Sequence, residues 1–311
     1  MELRQLRYFI QIADSGSLSK ASSVLHIAQP ALSQQMSQLE AELGQRLLSR
    51  LHTGVQVTEQ GAVFYQHAQR VLKQLQEIKG AVAATSDAPS GPVALGLPQS
   101  TAQQFAFALL PRLQRDYPAI KLEFFDELSG HLLQGLHSGR LDVSVIVNNH
   151  DAALLQSTPL LDEALYLVSH PRMAPKGKVR GKGITLKQLA KLPLAIPGKH
   201  HGVRSLVDTA LAAQGLSLSG SILTVNSMGI MRRCMLDGLA YCVMPWGAVA
   251  PEIASGALVA TIITPRIERR VYICTAKDTH VSLATQTVAK LLLEAARECV
   301  RTGQWQGNRL L

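Results

Sequence analysis

Cysteine is scarce in this 311-residue chain: Cys234, Cys242, Cys274 and Cys299 are the only four. They form no CxxC pair and three fall in apolar segments, which reads as buried thiols rather than a disulfide framework. A redox switch needs a reactive, partly exposed thiolate, and nothing in the sequence marks one. Long apolar runs are also missing, so no segment reaches membrane-spanning length. Met1-Glu2-Leu3-Arg4 leads into an amphipathic pattern without the apolar core of a leader peptide, so the expected location is the cytoplasm. GxSxG, a Walker loop, GxGxxG and HExxH are all absent and no acid–base pair stands out, which disfavours an enzyme. The adjacent His200 and His201 are a weak metal hint, because neighbouring histidines usually diverge. No metal, cofactor or catalytic residue is expected.

Acidic residues are the minority, 22 against 31 Lys and Arg, for a net charge of +9. That balance permits a polyanionic partner. The surplus is uneven. From Met1 to Gly61 five basic residues (Arg4, Arg7, Lys20, Arg46, Arg50) meet five acidic ones (Glu2, Asp14, Glu40, Glu42, Glu59). From Arg172 to Arg204 there are nine basic residues and no acidic one. That run reads as a solvated surface, or as a second contact with bent DNA, a subunit or an anionic ligand; the sequence does not rank these.

Between Ser17 and Leu43 the pattern SLSKASSVLHIAQPALSQQMSQLEAEL encodes two short amphipathic helices separated by a tight break. In the second, Leu32, Met36, Leu39 and Leu43 form one apolar stripe. Pro30, Ser33, Gln34 and Ser37 lie on the opposite side. Pro30 suits a first helical turn, with Gln29 at the entrance. The preceding helix is expected to start at an N-cap, Ser17, and to bury Leu18, Ala21, Val24 and Leu25. A still earlier helix, 2–14, should turn Leu3, Leu6, Phe9, Ile10 and Ala13 inward and stop at Gly16. An exposed helix face of Ser and Gln, instead of the Glu and Lys of ordinary solvated helices, suits a DNA major groove.

The stretch LRQLRYFIQIADSGSLSKASSVLHIAQPALSQQMSQLEAELGQRLLSR, followed by VTEQG, resembles the winged helix-turn-helix of LysR-type transcriptional regulators. The resemblance covers residues 2–61; the rest of the chain agrees with that family in length and order. It implies a DNA-binding homodimer or homotetramer with a C-terminal, two-lobed effector domain built like a type II periplasmic binding protein. It also implies that Gln29, Pro30, Ser33, Gln34 and Ser37 lie along the major groove of an inverted-repeat promoter site, that Arg50 at the wing approaches phosphate or the minor groove, and that RNA polymerase is a partner. Position 34 is often basic in the family. A Gln there can pair bidentately with adenine, worth about 1–3 kcal/mol of discrimination.

From Thr58, an expected N-cap, Phe64, Ala68, Val71, Leu75, Ile78 and Val82 repeat at alternating spacings of four and three. That heptad seam calls for a partner helix, supplied by a second copy or by the chain's own C-terminal part. The cluster TSDAPSGP then marks a hinge. Beyond it short apolar runs (93–97, 120–125, 143–147, 165–169, 194–196, 239–244, 258–263, 271–275) alternate with helical patterns (105–116, 132–138, 203–214, 228–236, 282–301), as in an α/β sheet covered by helices. The expected organisation is 1–57 winged helix-turn-helix, 58–84 linker helix, 85–92 hinge, 93–161 with 270–303 as lobe one, and 162–269 as lobe two. Ligands of such lobes sit beyond the strand C-termini, where helices start. Ser100, Thr101 and Ser129 on one side, and His201 and Ser227 on the other, are the candidate contacts for a small effector, anionic if the helix starts set its charge. A transport-type binding protein would share the two lobes but leave the first 92 residues without a purpose.

Overall fold

The fold is described from a computed structural model covering residues 1–51, 54–83, 88–148, 155–175, 183–199, 201–220, 222–277, 281–303 and 305–311, without the side chains of 50, 76–77 and 79–83. Two compact units result: Met1–Ala88 with Gln134–Leu141, and Pro89–Leu133 with Asp142–Leu311.

The first unit begins with three helices, α1 (Leu3–Ser15), α2 (Leu18–Leu25) and α3 (Gln29–Leu43). Phe9, Ile12, Ala21, Leu32, Met36, Leu39 and Leu47 form their core. Gly16 caps α1 in the left-handed region, and the Ser17 hydroxyl accepts from Lys20 N–H at the start of α2. Three residues expected inside are outside. Val24 is 60% exposed and Leu3 45%, while Ala21 and Phe9 take the central buried positions of α2 and α1. Leu43, on the last turn of α3, is also exposed.

A hairpin, β1 (Leu48–Leu51) and β2 (Gly54–Val57), forms the wing. The Glu40 carboxylate fixes its entrance, Oε1 accepting from Leu47 N–H at 2.8 Å and Leu48 N–H at 2.9 Å. Thr58 Oγ1 accepts from Gly61 N–H, capping the long α4 (Glu59–Ala83), and donates to the Arg46 carbonyl. Glycine is required at 61: a Cβ would stand 2.1 Å from the Leu47 oxygen. The seam along α4 divides. Phe64 meets Phe9 edge-on at 5.0 Å and Ala68 is buried, whereas Val71 and Ile78 are exposed. The Val82 side chain lies outside the described residues.

In the second unit β3 (Gly91–Pro98), α5 (Ala102–Asp116), β4 (Ile120–Glu127), α6 (Ser129–Ser138, shared with the first unit) and β5 (Val143–Val147) lead to a long strand, β6 (Leu155–Ser169). There follow β7 (Ile184–Thr185), α7 (Leu186–Leu189), β8 (Leu194–Ile196), α8 (Gly202–Ala212), β9 (Ile222–Thr224), α9 (Met228–Leu236), β10 (Cys242–Pro245), α10 (Ala250–Ala254), β11 (Val259–Thr264), β12 (Glu268–Ala276), α11 (Leu283–Arg301) and β13 (Asn308–Leu310). The main sheet runs β4-β3-β5-β12-β6-β11-β7, with β10 and β13 also on β6, and β8 and β9 form a separate parallel pair. One apolar core gathers β3, β5 and the first half of β6 under α5 and α11. Two more lie around the second half of β6, β8, β10, α8 and α9. The expected lobe boundaries fall inside β6 and β12, two antiparallel strands that run through both lobes. Of the expected hinge, 85–87 lies outside the described residues, and Gly91 and Pro92 already belong to β3.

Candidate functional site

Two surfaces carry the candidate chemistry. The first is the outer face of α3. Leu32, Met36 and Leu39 anchor it in the core, so its opposite side projects outward by the pitch of the helix. Gln29, Pro30, Gln34 and Ser37 are exposed and Ser33 is half-buried. The Ser37 hydroxyl donates to the Ser33 carbonyl one turn back. Arg50 stands in β1 opposite Val55; its side chain lies outside the described residues. Glu40 is a residue that the pattern did not single out. It sits half-buried at the start of the last α3 turn, where its carboxylate ties the recognition helix to the wing.

The second surface is a cavity of about 480 Å³ lined by Gln99, Ser100, Gln103, Gln104, Asp126, Asn226, Ser227, Met228, Gly229, Arg232 and Ala248. Its walls are the turn from β3 into α5, the end of β4, and the turn from β9 into α9. Ser227 caps α9, its hydroxyl accepting from Ile230 N–H, and Asn226 is held by Gly198 N–H at 2.9 Å. Of the five expected contacts, Ser100 and Ser227 line the cavity. Thr101 does not: it is fully buried and its hydroxyl donates to the Pro98 carbonyl, closing the turn. Ser129 starts α6 and is not part of the wall. His201 is also absent from the wall. Its Nδ1 accepts from Val203 N–H, and burial, then the nearby Arg269 charge, hold its pKa below the usual histidine value. An imidazole with an accepting Nδ1 and a lowered pKa is neutral at pH 7.

Behind Ser100 lies a buried network at the strands that join the lobes. Arg269 and Glu163 face each other across β12 and β6, with side chains 3% and 1% exposed. Arg269 Nε donates to Glu163 Oε2 at 2.7 Å, Arg269 Nη2 reaches Ser100 Oγ at 2.9 Å, and the Trp305 indole N–H donates to Glu163 Oε1 at 3.1 Å. One register step away, Asp162 accepts from Arg270 and Arg309. The Arg270 hydrogen bond leads the causes that hold its pKa below the ordinary carboxylate value. β13 completes the arrangement, pairing Asn308 with Glu163 and Leu310 with Leu161.

The thiols are poor redox candidates: burial pushes Cys242 up to about 12 and Cys274 up to about 11, so both stay protonated at neutral pH. Among the described residues no three His, Cys, Asp or Glu gather as metal ligands, and no helix is long and apolar enough to cross a membrane.

A helix-turn-helix preceding a two-lobed binding domain defines a class, the one-chain transcriptional regulator. Residues 3–62 match the bacterial regulatory helix-turn-helix protein model of the lysR family, and residues 86–297 match the LysR substrate binding domain. The chain belongs to the LysR family of DNA-binding transcriptional regulators, which are not enzymes. It is 34% identical over 296 residues, 94% of each chain, to the nitrogen assimilation regulatory protein nac of Klebsiella aerogenes. It is 31% identical to nac of Escherichia coli K12, over 98% of this chain and 99% of that one. Among solved structures it is similar to a full-length OxyR variant of Pseudomonas aeruginosa (TM-score 0.70, 26% identity, 96% and 95% covered). It shares its fold with CbnR crystallised with its target DNA (TM-score 0.66, 21% identity, 96% and 99% covered).

Proposed function

We propose that two copies, joined along α4, set their α3 helices into successive major grooves of an inverted-repeat promoter site, with Gln29, Pro30, Ser33, Gln34 and Ser37 towards the bases and Arg50 at flanking phosphate or minor groove. The observation that carries this reading is α3 itself, whose apolar stripe is buried while its Gln/Ser face is presented outward. The exposed Val71 and Ile78 on α4 support the pairing, since the seam they continue has no cover of its own there. Residues 1–61 carry no local charge surplus, so Arg placement and duplication in the dimer supply the field for DNA.

The cavity reached by Ser100 and Ser227 is the effector site in this reading. Filling it changes the angle between the lobes, hence the spacing of the DNA-binding pairs, the DNA bend and the contact with RNA polymerase. Such a regulator works in the cytoplasm, as a dimer or as a tetramer of paired dimers. A mobility-shift titration with the DNA upstream of the protein's own gene tests the first half. A site retained at tenfold higher salt-matched competitor than random DNA is expected; equal competition by random DNA overturns sequence-specific regulation. Ser100→Ala should keep DNA binding and change the response to effector.

A further inference from the structure

The chain's positive charge is concentrated in one stretch. Residues 162–269 hold thirteen basic and six acidic side chains, a surplus of seven out of the net +9. All six acids are taken by arginines. Asp162 accepts from Arg270 and Arg309, and Glu163 from Arg269. Asp208 pairs with Arg204, Asp237 with Arg233, Glu252 with Arg232 and Glu268 with Arg266, at 2.6 to 4.0 Å. Four more cations, Lys176, Lys178, Arg180 and Lys182, lie outside the described residues. That leaves Arg172, Lys187, Lys191 and Lys199, all exposed and none with an acidic partner among the described residues. Three of these four come out at the same end of the second lobe, and Tyr241 fixes the place. Its N–H donates to the Pro193 carbonyl at 3.0 Å, two residues after Lys191. Its hydroxyl donates to the Met173 carbonyl at 2.5 Å, one residue after Arg172. Lys187 stands one turn before Lys191, on the outer side of α7, whose Leu186 and Leu189 are buried. Lys199 leaves β8 at its opposite end and is not part of the group. Gly238 packs beside His170 and Met173, which brings Asp237 to the same end, but Arg233 Nε already holds that carboxylate at 2.6 Å.

We propose that this end of the second lobe is a second DNA contact, in which Arg172, Lys187 and Lys191 hold phosphates of the duplex without reading its sequence. Unopposed guanidinium and ammonium groups on an open surface retain a polyanion, whose many charges replace the enclosure that a small anion would need. Their exposed neighbours Gln188 and Ser219 are neutral and polar, so nothing there repels phosphate. Duplex DNA is the polyanion that regulators of this family bind, and residues 1–61 bring no net charge to it. A lipid surface fits less well: membrane-lying helices present a broad apolar face outward, whereas the apolar side of α7 is spent in the core. Contacts of this kind add affinity and set the course of the duplex but carry no base preference.

The test is a salt titration of the full-length protein with a random-sequence duplex of about 80 base pairs, followed by fluorescence anisotropy. Each phosphate contact contributes about 0.9 to the steepness of log affinity against log salt. Combining Arg172→Gln, Lys187→Gln and Lys191→Gln should therefore lower that steepness by about 2–3. A charge-matched control, Lys121→Gln with Lys290→Gln and Arg297→Gln, removes three exposed cations of the first lobe and should lower it by less than about 1. All six side chains are exposed, so both triple variants should melt with the wild type, and matching melting curves establish that any loss is local. Equal changes in the two variants would reduce the effect to net charge and overturn the contact. An unchanged slope in the first variant overturns it as well, and loss of binding to phosphatidylserine vesicles in its place would assign the surface to lipid. Base reading by α3 is tested separately, because its failure appears in the ratio of specific to random affinity and leaves this slope as it is.

Discussion

Replacing Glu163 by Met should be among the most damaging single changes in this protein. The carboxylate accepts from Arg269 at 2.7 Å and from the Trp305 indole at 3.1 Å while only 1% exposed. Its removal leaves a guanidinium, itself 3% exposed, without a counter-charge. Breaking one side of a buried ion pair costs about 3–5 kcal/mol, because the remaining charge stays desolvated. For a unit of this size each kcal/mol moves Tm by roughly 2–4 °C, so a fall on the order of 6–20 °C is expected. Methionine on both sides, Glu163→Met with Arg269→Met, should restore much of it, since a buried pair replaced by apolar side chains of similar size is often close to neutral. The chain's two tryptophans, Trp246 and Trp305, both lie in the second unit. Intrinsic fluorescence during thermal or urea unfolding therefore follows that unit selectively, and the four proteins of the cycle give the coupling directly. A single-variant loss below about 1 kcal/mol, or a double variant as unstable as the worse single one, would refute the assignment of a desolvated pair.

Other consequences are equally checkable. Gly61→Ala places a methyl 2.1 Å from the Leu47 oxygen and should cost about 1–3 kcal/mol and weaken DNA binding through the wing. Gly130→Ala, where nothing lies within 4 Å, should be neutral or stabilising by up to about 1 kcal/mol, measured in the same melts. The neutral His201 has a lowered folded pKa, so the unfolded chain binds its proton first. Its share of stability is complete above about pH 6.5 and declines as pH falls towards the folded value. A His201→Asn variant, which keeps a cap, should flatten that slope in urea midpoints from pH 7.5 to 5.5; an unchanged slope would contradict it. Asp162, whose pKa is depressed chiefly by Arg270, contributes fully above the ordinary carboxylate range. That contribution is lost only as pH falls through the lower folded value, so Asp162→Asn should narrow the stability difference between pH 7 and pH 3.

The helix-turn-helix was legible because its periodicity is local: stripes at three and four residues fix which side of α3 is buried. Misplaced residues were those where neighbours decide, as at Val24 and Leu3, which tertiary packing leaves outside. The second unit was legible as alternation but not in detail. β6 begins ten residues before the apolar run 165–169, because Pro159, Asp162 and Glu163 look like a loop. They extend the strand only because Arg269 and Arg270 stand opposite them from more than a hundred residues away. β9 and β13, three residues each, are too short to announce a strand. At the cavity, the rule that serines at helix starts mark ligand contacts picked Ser100 and Ser227, which line its wall, but also Thr101, whose hydroxyl closes its own turn.

The central claim is that the outward face of α3 reads base sequence. Its most direct test is the ratio of specific to random-sequence DNA affinity, by fluorescence anisotropy at one fixed salt concentration, for wild type, Ser33→Ala and Gln34→Ala. Loss of roughly 1–3 kcal/mol of discrimination per lost bidentate contact, about five- to 150-fold in the ratio, with random-sequence affinity unchanged, is the predicted result. Ratios equal to wild type in both variants would contradict it.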